Sequence, residues 1–283
     1  MIWSNSFHSI AWMRDQVGAW DLVLLRFFPV ALVCLVWFFA SGPRSNLRLL
    51  SRSPIRIGVI GSMIVLSYNL LLNWGQGRVP AGTASLLIST NPFLTYLLAL
   101  AVGQEGFRKR KVAGLVISFA AVYLLLADQG RRFGPGYGLS ALSVLGAPLS
   151  WAIATIVGKP LVGREPPLRV IFLSLTVGSL PALALAPLDP TVRAAVPTFG
   201  PVEWFAVLHL SILCTLLGFA IWYAALRRLP ASSVAAFVLL NPPLTILFGP
   251  LWGAGAPSAS VLGYGAWILA GILLSTWRVP DRR

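Results

Sequence analysis

Arg78-Val79-Pro80-Ala81 recurs 150 residues later as Arg228-Leu229-Pro230-Ala231, and in the same register Asn91-Pro92-Phe93-Leu94-Thr95 recurs as Asn241-Pro242-Pro243-Leu244-Thr245. One half of the chain is a copy of the other, so the fold must satisfy the same pattern twice. The copied unit lies within apolar stretches too long for a water-soluble core. At 57% hydrophobic and 11% charged residues, with a mean hydropathy of +0.80, the chain has too little polar surface to cover a globule in water. Its apolar runs reach the roughly 20 residues that cross a bilayer, which predicts an all-α, multi-pass membrane protein.

Apolar runs between polar breaks predict ten spans, over residues 1–13, 20–40, 57–74, 81–102, 112–127, 139–157, 168–185, 204–226, 232–252 and 261–277. The first is short, because 13 residues rise about 20 Å against a hydrocarbon core of about 30 Å. Matching Trp3-Ser4-Asn5-Ser6-Phe7 to Trp151-Ala152-Ile153-Ala154-Thr155 leaves the stretch 138–150 with almost no counterpart before Trp3. The expectation is therefore a first helix truncated at its N-terminal end, from a native start upstream or from a helix that is short by nature. Residues 1–13 lack the basic leader and small-residue cleavage site of a signal peptide.

Basic residues alternate between loops. Arg44, Arg48, Arg52 and Arg56, the cluster Arg108 to Lys111, Lys159, Arg164 and Arg169, Arg227 and Arg228, and Arg278, Arg282 and Arg283 form one set. Arg14, Arg78, Arg131, Arg132 and Arg193 form the other. Sixteen against five places the first set in the cytoplasm, with both termini. Five spans per copy is an odd number, so the second copy enters the membrane from the opposite side. The prediction is two inverted five-helix repeats, at 1–127 and 139–283, joined by a loop at 128–138. Two inverted copies offer two nearly equivalent packings, one open to each side, which is the basis of alternating access around a midplane site.

The five-plus-five repeat, Trp3-Ser4-Asn5, Arg26-Phe27, and the segment from Pro80-Ala81 to Asn91-Pro92 with its copy together resemble the drug/metabolite transporter superfamily, more narrowly its EamA-type permeases. The resemblance covers nearly the whole chain. It implies a ten-helix carrier of the cell inner membrane, often an exporter of amino acids or other small metabolites. Aromatic amino-acid exporters of the family tend to have an aromatic-rich segment before the fourth-helix proline. Here Ser89-Thr90-Asn91 stands there, which argues against an aromatic substrate.

Pro92 removes a backbone donor and frees carbonyls near Ile88 and Ser89, and Pro242, extended by Pro243, does the same near Val238 and Leu239. These prolines are candidate hinges, and the Asn91 and Asn241 amides candidate substrate contacts; a packing kink alone is the plainer alternative. Trp3, Asn5, His8, Tyr68, Asn69 and Trp151 complete the candidate site, as polar or aromatic side chains at membrane depth. The equivalent Trp3 and Trp151 are expected on opposite walls of a central cavity. Trp20, Trp74, Trp204, Trp252 and Trp277 read as interfacial belt residues. Arg26 is the strongly charged residue within a span. It can meet a substrate carboxylate or freed carbonyls, or snorkel, but its occurrence at this position in the family implies a structural role.

All eight acids fall in loops or near helix ends, so no mid-membrane carboxylate is expected to relay a proton or hold sodium. Proton coupling through His8 or His209 stays open beside facilitated export. Cys34 and Cys214 read as small apolar residues within spans. No paired carboxylates, histidine cluster or nucleophile with a base suggests an enzyme, and neither metal nor cofactor is expected. Scattered arginines on a chain of net charge +14 fit anionic membrane lipids better than nucleic acid. The expected partner is a small polar metabolite, with a homodimer as an allowed assembly. Alternatives are a broad drug/metabolite efflux carrier and a non-transporting scaffold or sensor.

Overall fold

The computed structural model describes residues 2–114, 116–118, 120–121, 124, 136–253 and 258–276. Every regular element among them is helical. In chain order these are α1 (Ile2–Arg14), α2 (Ala19–Ala40), α3 (Pro43–Arg52), α4 (Pro54–Gln76), α5 (Ala81–Ala101), α6 (Tyr137–Val162), α7 (Pro167–Leu185), α8 (Pro190–Ala195), α9 (Pro201–Arg228), α10 (Ala231–Trp252) and α11 (Ala259–Thr276). Further helical residues lie at 109–114 and 116–118. Most of the expected inter-repeat loop, part of the expected 112–127 span, Trp277 and the C-terminal arginines fall outside the described residues.

Among the described residues seven helices, α2, α4, α5, α6, α7, α9 and α10, are long and apolar enough to cross a membrane. The distribution of side chains is that of a protein solvated by lipid. Val36, Phe39, Ile55, Leu247 and Leu251 are strongly exposed, while Ser4, Asn69, Asn91, Ser211 and Thr215 are buried. With no hydrophobic drive between helices in lipid, interior polar groups and close backbone approach hold the bundle. The chain is a multi-pass membrane protein.

α2 packs along α7, α4 along α6 and α7, and α5 along α6. At the crossing of α4 with α7 two glycines meet. A Cβ at Gly61 would stand 2.3 Å from the Ser174 carbonyl oxygen, and one at Gly178 would stand 2.6 Å from that of Gly61. α1 lies along the second half of α10 and against α9 and α5.

The repeated motif takes the same local form twice. Pro80 and Pro230 are both extended, at ψ 149° and 146°, and each starts a helix at the following alanine. The Asn-Pro pairs also break their helices as expected. α5 interrupts at Ser89 and Thr90 and restarts at Asn91, and the hydroxyls of Ser89 and Thr90 donate back to the Ser85 and Leu87 carbonyls at 2.9 and 2.8 Å. α10 tightens to a 3-10 turn over Ala236–Leu240 before restarting at Asn241, with Pro242 and Pro243 in the new first turn. Two further irregularities, π-helical segments at Met63–Ser67 in α4 and His209–Leu217 in α9, have no proline to announce them.

Candidate functional site

The candidate residues separate into three groups. The first is an aromatic cluster where α1, α4, α6 and α9 meet. Trp3 and Trp151 touch edge to face with centroids 5.0 Å apart, rather than facing each other across a cavity as their equivalence suggests. Trp222 lies 4.6 Å from Trp151 and 5.7 Å from Trp3, Tyr68 5.6 Å from Trp151, and Phe219 within 6.0 Å of both indoles. Gly218 makes the room, because a Cβ there would stand 2.7 Å from Trp3 Nε1. Trp3 Nε1 donates to the Cys214 carbonyl at 2.8 Å, whereas the buried Trp151 Nε1 finds no acceptor among the described residues. A buried donor left unpaired costs about 1–3 kcal/mol, so its presence in a packed interior points to a use outside the fold.

The second group is the seam between α1 and α10. Ser4 Oγ donates to Asn241 Oδ1 at 3.2 Å, Thr245 Oγ1 donates to the Ser4 carbonyl at 2.9 Å, and His8 Nε2 lies 2.7 Å from the Thr245 carbonyl. Trp252 is no simple belt residue, since its Nε1 donates to Asn5 Oδ1 at 2.8 Å and its ring stacks on His8. Sequence position near a helix end suggested an anchor, but the partner sits 247 residues away. Asn241 Nδ2 is buried with no acceptor among the described residues.

The third group is polar and ties helices together. Asn91 Nδ2 donates to the Pro148 carbonyl at 3.1 Å, across from α5 to α6, and Thr95 Oγ1 donates to Asn91 Oδ1 at 3.5 Å. Asn69 accepts from Arg26 Nη1 at 2.7 Å. His209 sits between Ser9 Oγ, 3.1 Å from its Nδ1, and the Ile2 carbonyl, 3.2 Å from its Nε2. Phe219, Thr215 and Ser211 were not singled out in the sequence. They lie three, seven and eleven residues before Trp222, and counting that helical repeat back from Trp222 would have pointed to them.

A cavity of about 520 Å³ opens beside the aromatic cluster and the seam. Trp3, Trp222 and Asn241 line it together with the apolar side chains of Ile221, Leu229 and Phe237. Among the described residues no group of three or more His, Cys, Asp or Glu stands ready to hold a metal.

Among the described residues, the helical, lipid-solvated bundle with a polar interior and an aromatic-lined cavity defines a polytopic membrane protein with room for a small molecule. The chain matches the EamA-like transporter family over residues 1–127 and again over 138–277, and it belongs to that family, within the drug/metabolite transporter superfamily. It is similar to the "Probable terminal-alkyne amino-acid exporter" of Streptantibioticus cattleyicolor, at 32% identity over 99% of this chain and 92% of that protein. It is also similar to the "Probable amino-acid metabolite efflux pump" of Salmonella typhimurium, at 26% identity over 100% of this chain and 94% of that one. A crystal structure at 23% identity, covering 97% of this chain and 94% of its own, superposes with a TM-score of 0.69 and supports the fold alone.

Proposed function

We propose that this transporter is an inner-membrane permease that exports small polar metabolites, foremost amino acids, by alternating access. In this reading ten helices form two inverted five-helix repeats, 1–127 and 139–283, linked by 128–138, with both termini cytoplasmic. Trp3, Asn5, His8, Tyr68, Asn69, Asn91, Trp151 and Asn241 face the path, and Pro92, Pro242 and Pro243 act as hinges. The relatives named for amino-acid and amino-acid-metabolite export support the substrate class. One observation carries the site: Trp151, packed against Trp3 and Trp222 of the cavity wall, holds a buried indole N–H with no acceptor among the described residues. The apolar walls of that cavity favour, as a second reading, a broader drug/metabolite efflux carrier.

The test is flux of labelled amino acids in proteoliposomes, with and without a pH gradient, for the unmodified chain and Trp151→Phe. The substitution keeps a ring and removes the donor. We expect saturable flux in the unmodified protein, and roughly tenfold lower kcat/KM in the variant with normal membrane insertion. Flux unchanged by Trp151→Phe removes that residue from the path. Saturable flux of drug-like compounds but of no amino acid favours the second reading.

A further inference from the structure

Arg26 of α2 reaches from the end of one π-helical segment to the other, since α2 packs against both. With the offset that equates Trp3 with Trp151, Met63–Ser67 of α4 corresponds to 211–215, inside the His209–Leu217 segment of α9. π-Helical insertions are rare and are frequently found at functional sites. Each is engaged here by a side chain five residues on. Asn69 Nδ2 donates to the Ile64 carbonyl at 2.7 Å, and Thr215 Oγ1 to the Leu210 carbonyl at 2.8 Å. The same two side chains accept from the guanidinium, Thr215 Oγ1 from Nε at 3.0 Å and Asn69 Oδ1 from Nη1 at 2.7 Å. Ser211 Oγ then donates to the Arg26 carbonyl at 2.7 Å.

That arrangement explains the tie between helices but not the charge. Arg26 is 4% exposed, no carboxylate pairs with it among the described residues, and its Nη2 makes no hydrogen bond there. A neutral amide would link the same helices without desolvating a cation. Both of its partners also adjoin the aromatic cluster in sequence. Asn69 follows Tyr68, which packs on Trp151, and Thr215 follows Cys214, whose carbonyl holds Trp3 Nε1. Two buried donors in and beside this cluster, Trp151 Nε1 and Asn241 Nδ2, have no acceptor among the described residues, and Arg26 Nη2 is a further donor with no hydrogen bond there. A ligand that completes them must be an acceptor, and an ionised carboxylate is acceptor-only.

We propose that Arg26 is the anion anchor of the carried molecule, taking its carboxylate while the aromatic cluster takes the ammonium or apolar end. This rests on the transport reading and narrows it to carboxylate-bearing substrates. Cation–π attraction suits the aromatic faces to an ammonium group, and the apolar cavity walls suit an aliphatic tail.

The experiment uses purified full-length protein in nanodiscs, with tryptophan fluorescence and thermal shift as readouts. The probes are L-norleucine, hexanoate, hexanamide and hexylamine. We expect norleucine and hexanoate to bind, and hexanamide and hexylamine to need roughly tenfold or higher concentration. Arg26→Gln should erase the acid-over-amide preference and Arg26→Lys should keep part of it. Should Arg26→Gln not fold, the acid and amide comparison on the unmodified protein decides alone. Equal response to hexanoate and hexanamide, no response to any carboxylate, or a preference surviving in Arg26→Gln overturns the proposal. Flux of the same probes separates it from the reading beneath. Arg26-dependent carboxylate binding without flux sinks the carrier and leaves the anchor, while flux indifferent to the carboxylate leaves the carrier and sinks the anchor.

Discussion

A single loop carboxylate, Glu105, joins the chain after α5 to the start of α10. Its Oε1 accepts from the Ser232 backbone N–H at 3.0 Å, and its Oε2 from Ser232 Oγ and Lys111 Nζ at 2.7 Å each. Ser232 N–H is one of the donors that a helix leaves unpaired in its first turn, so Glu105 caps α10 from a distance and complements its dipole. Lys111 in turn lies 4.2 Å from the centre of the Tyr96 ring. Burial works against the charge on Glu105, but the bonds from Lys111 and Ser232 outweigh it and hold the carboxyl below its ordinary value. A carboxyl depressed in the folded state stabilises above its unfolded value, about 4.3, and loses that contribution as pH falls through the folded value. We therefore expect Glu105→Gln to lower Tm at pH 7 by an amount worth roughly 1–3 kcal/mol. As pH falls from there through the lower folded value the two proteins should converge. Thermal unfolding across pH 3–8 checks this, and parallel profiles over the whole range would remove Glu105 as a stabilising charge. In the sequence Glu105 is one acid among eight in loops or near helix ends; its partner lies 127 residues on, which spacing alone does not show.

At the scale of helices, what was legible depended on whether a residue type enforces the feature. The breaks in α5 and α10 follow from proline's missing donor and were read in place at Asn91-Pro92 and Asn241-Pro242. The π segments of α4 and α9 add a residue to a turn without changing composition, so nothing in the sequence marked them. The glycines of α4 show the same division. Gly58 and Gly61 lie three positions apart and look alike in sequence, yet a Cβ at Gly58 meets nothing within 4 Å while one at Gly61 strikes the α7 backbone. Gly61→Ala must push α4 and α7 apart, because the obstacle is a carbonyl that no rotamer moves. We expect it to lower Tm clearly, by several degrees. Gly58→Ala should be neutral or raise stability by about 0.5–1 kcal/mol, since alanine gains over glycine within a helix. Equal Tm values for the two variants would mean that the α4 to α7 crossing is looser than this geometry.

Across the whole molecule, the class of protein was plain from composition because the bilayer demands long apolar helices, and seven such helices stand among the described residues. How the interior side chains meet was not legible, since Trp3 against Trp151 and Asn5 against Trp252 depend on how helices rotate about their axes. The orientation of the two copies rests on charge alone and can be measured directly. Arg78 and Arg228 occupy equivalent turns and are both exposed. An odd number of crossings between them puts them on opposite sides of the membrane, and an even number puts them on the same side. Cys34 and Cys214 are both buried, so each should give little background to a bulky thiol reagent. With a membrane-impermeant maleimide on intact cells, Arg78→Cys should label at once, and Arg228→Cys only after the membrane is opened. Labelling of both from outside would exclude the inverted arrangement. Labelling of Arg228→Cys alone would keep the inversion and reverse its direction, placing the arginine-rich loops outside against the positive-inside rule.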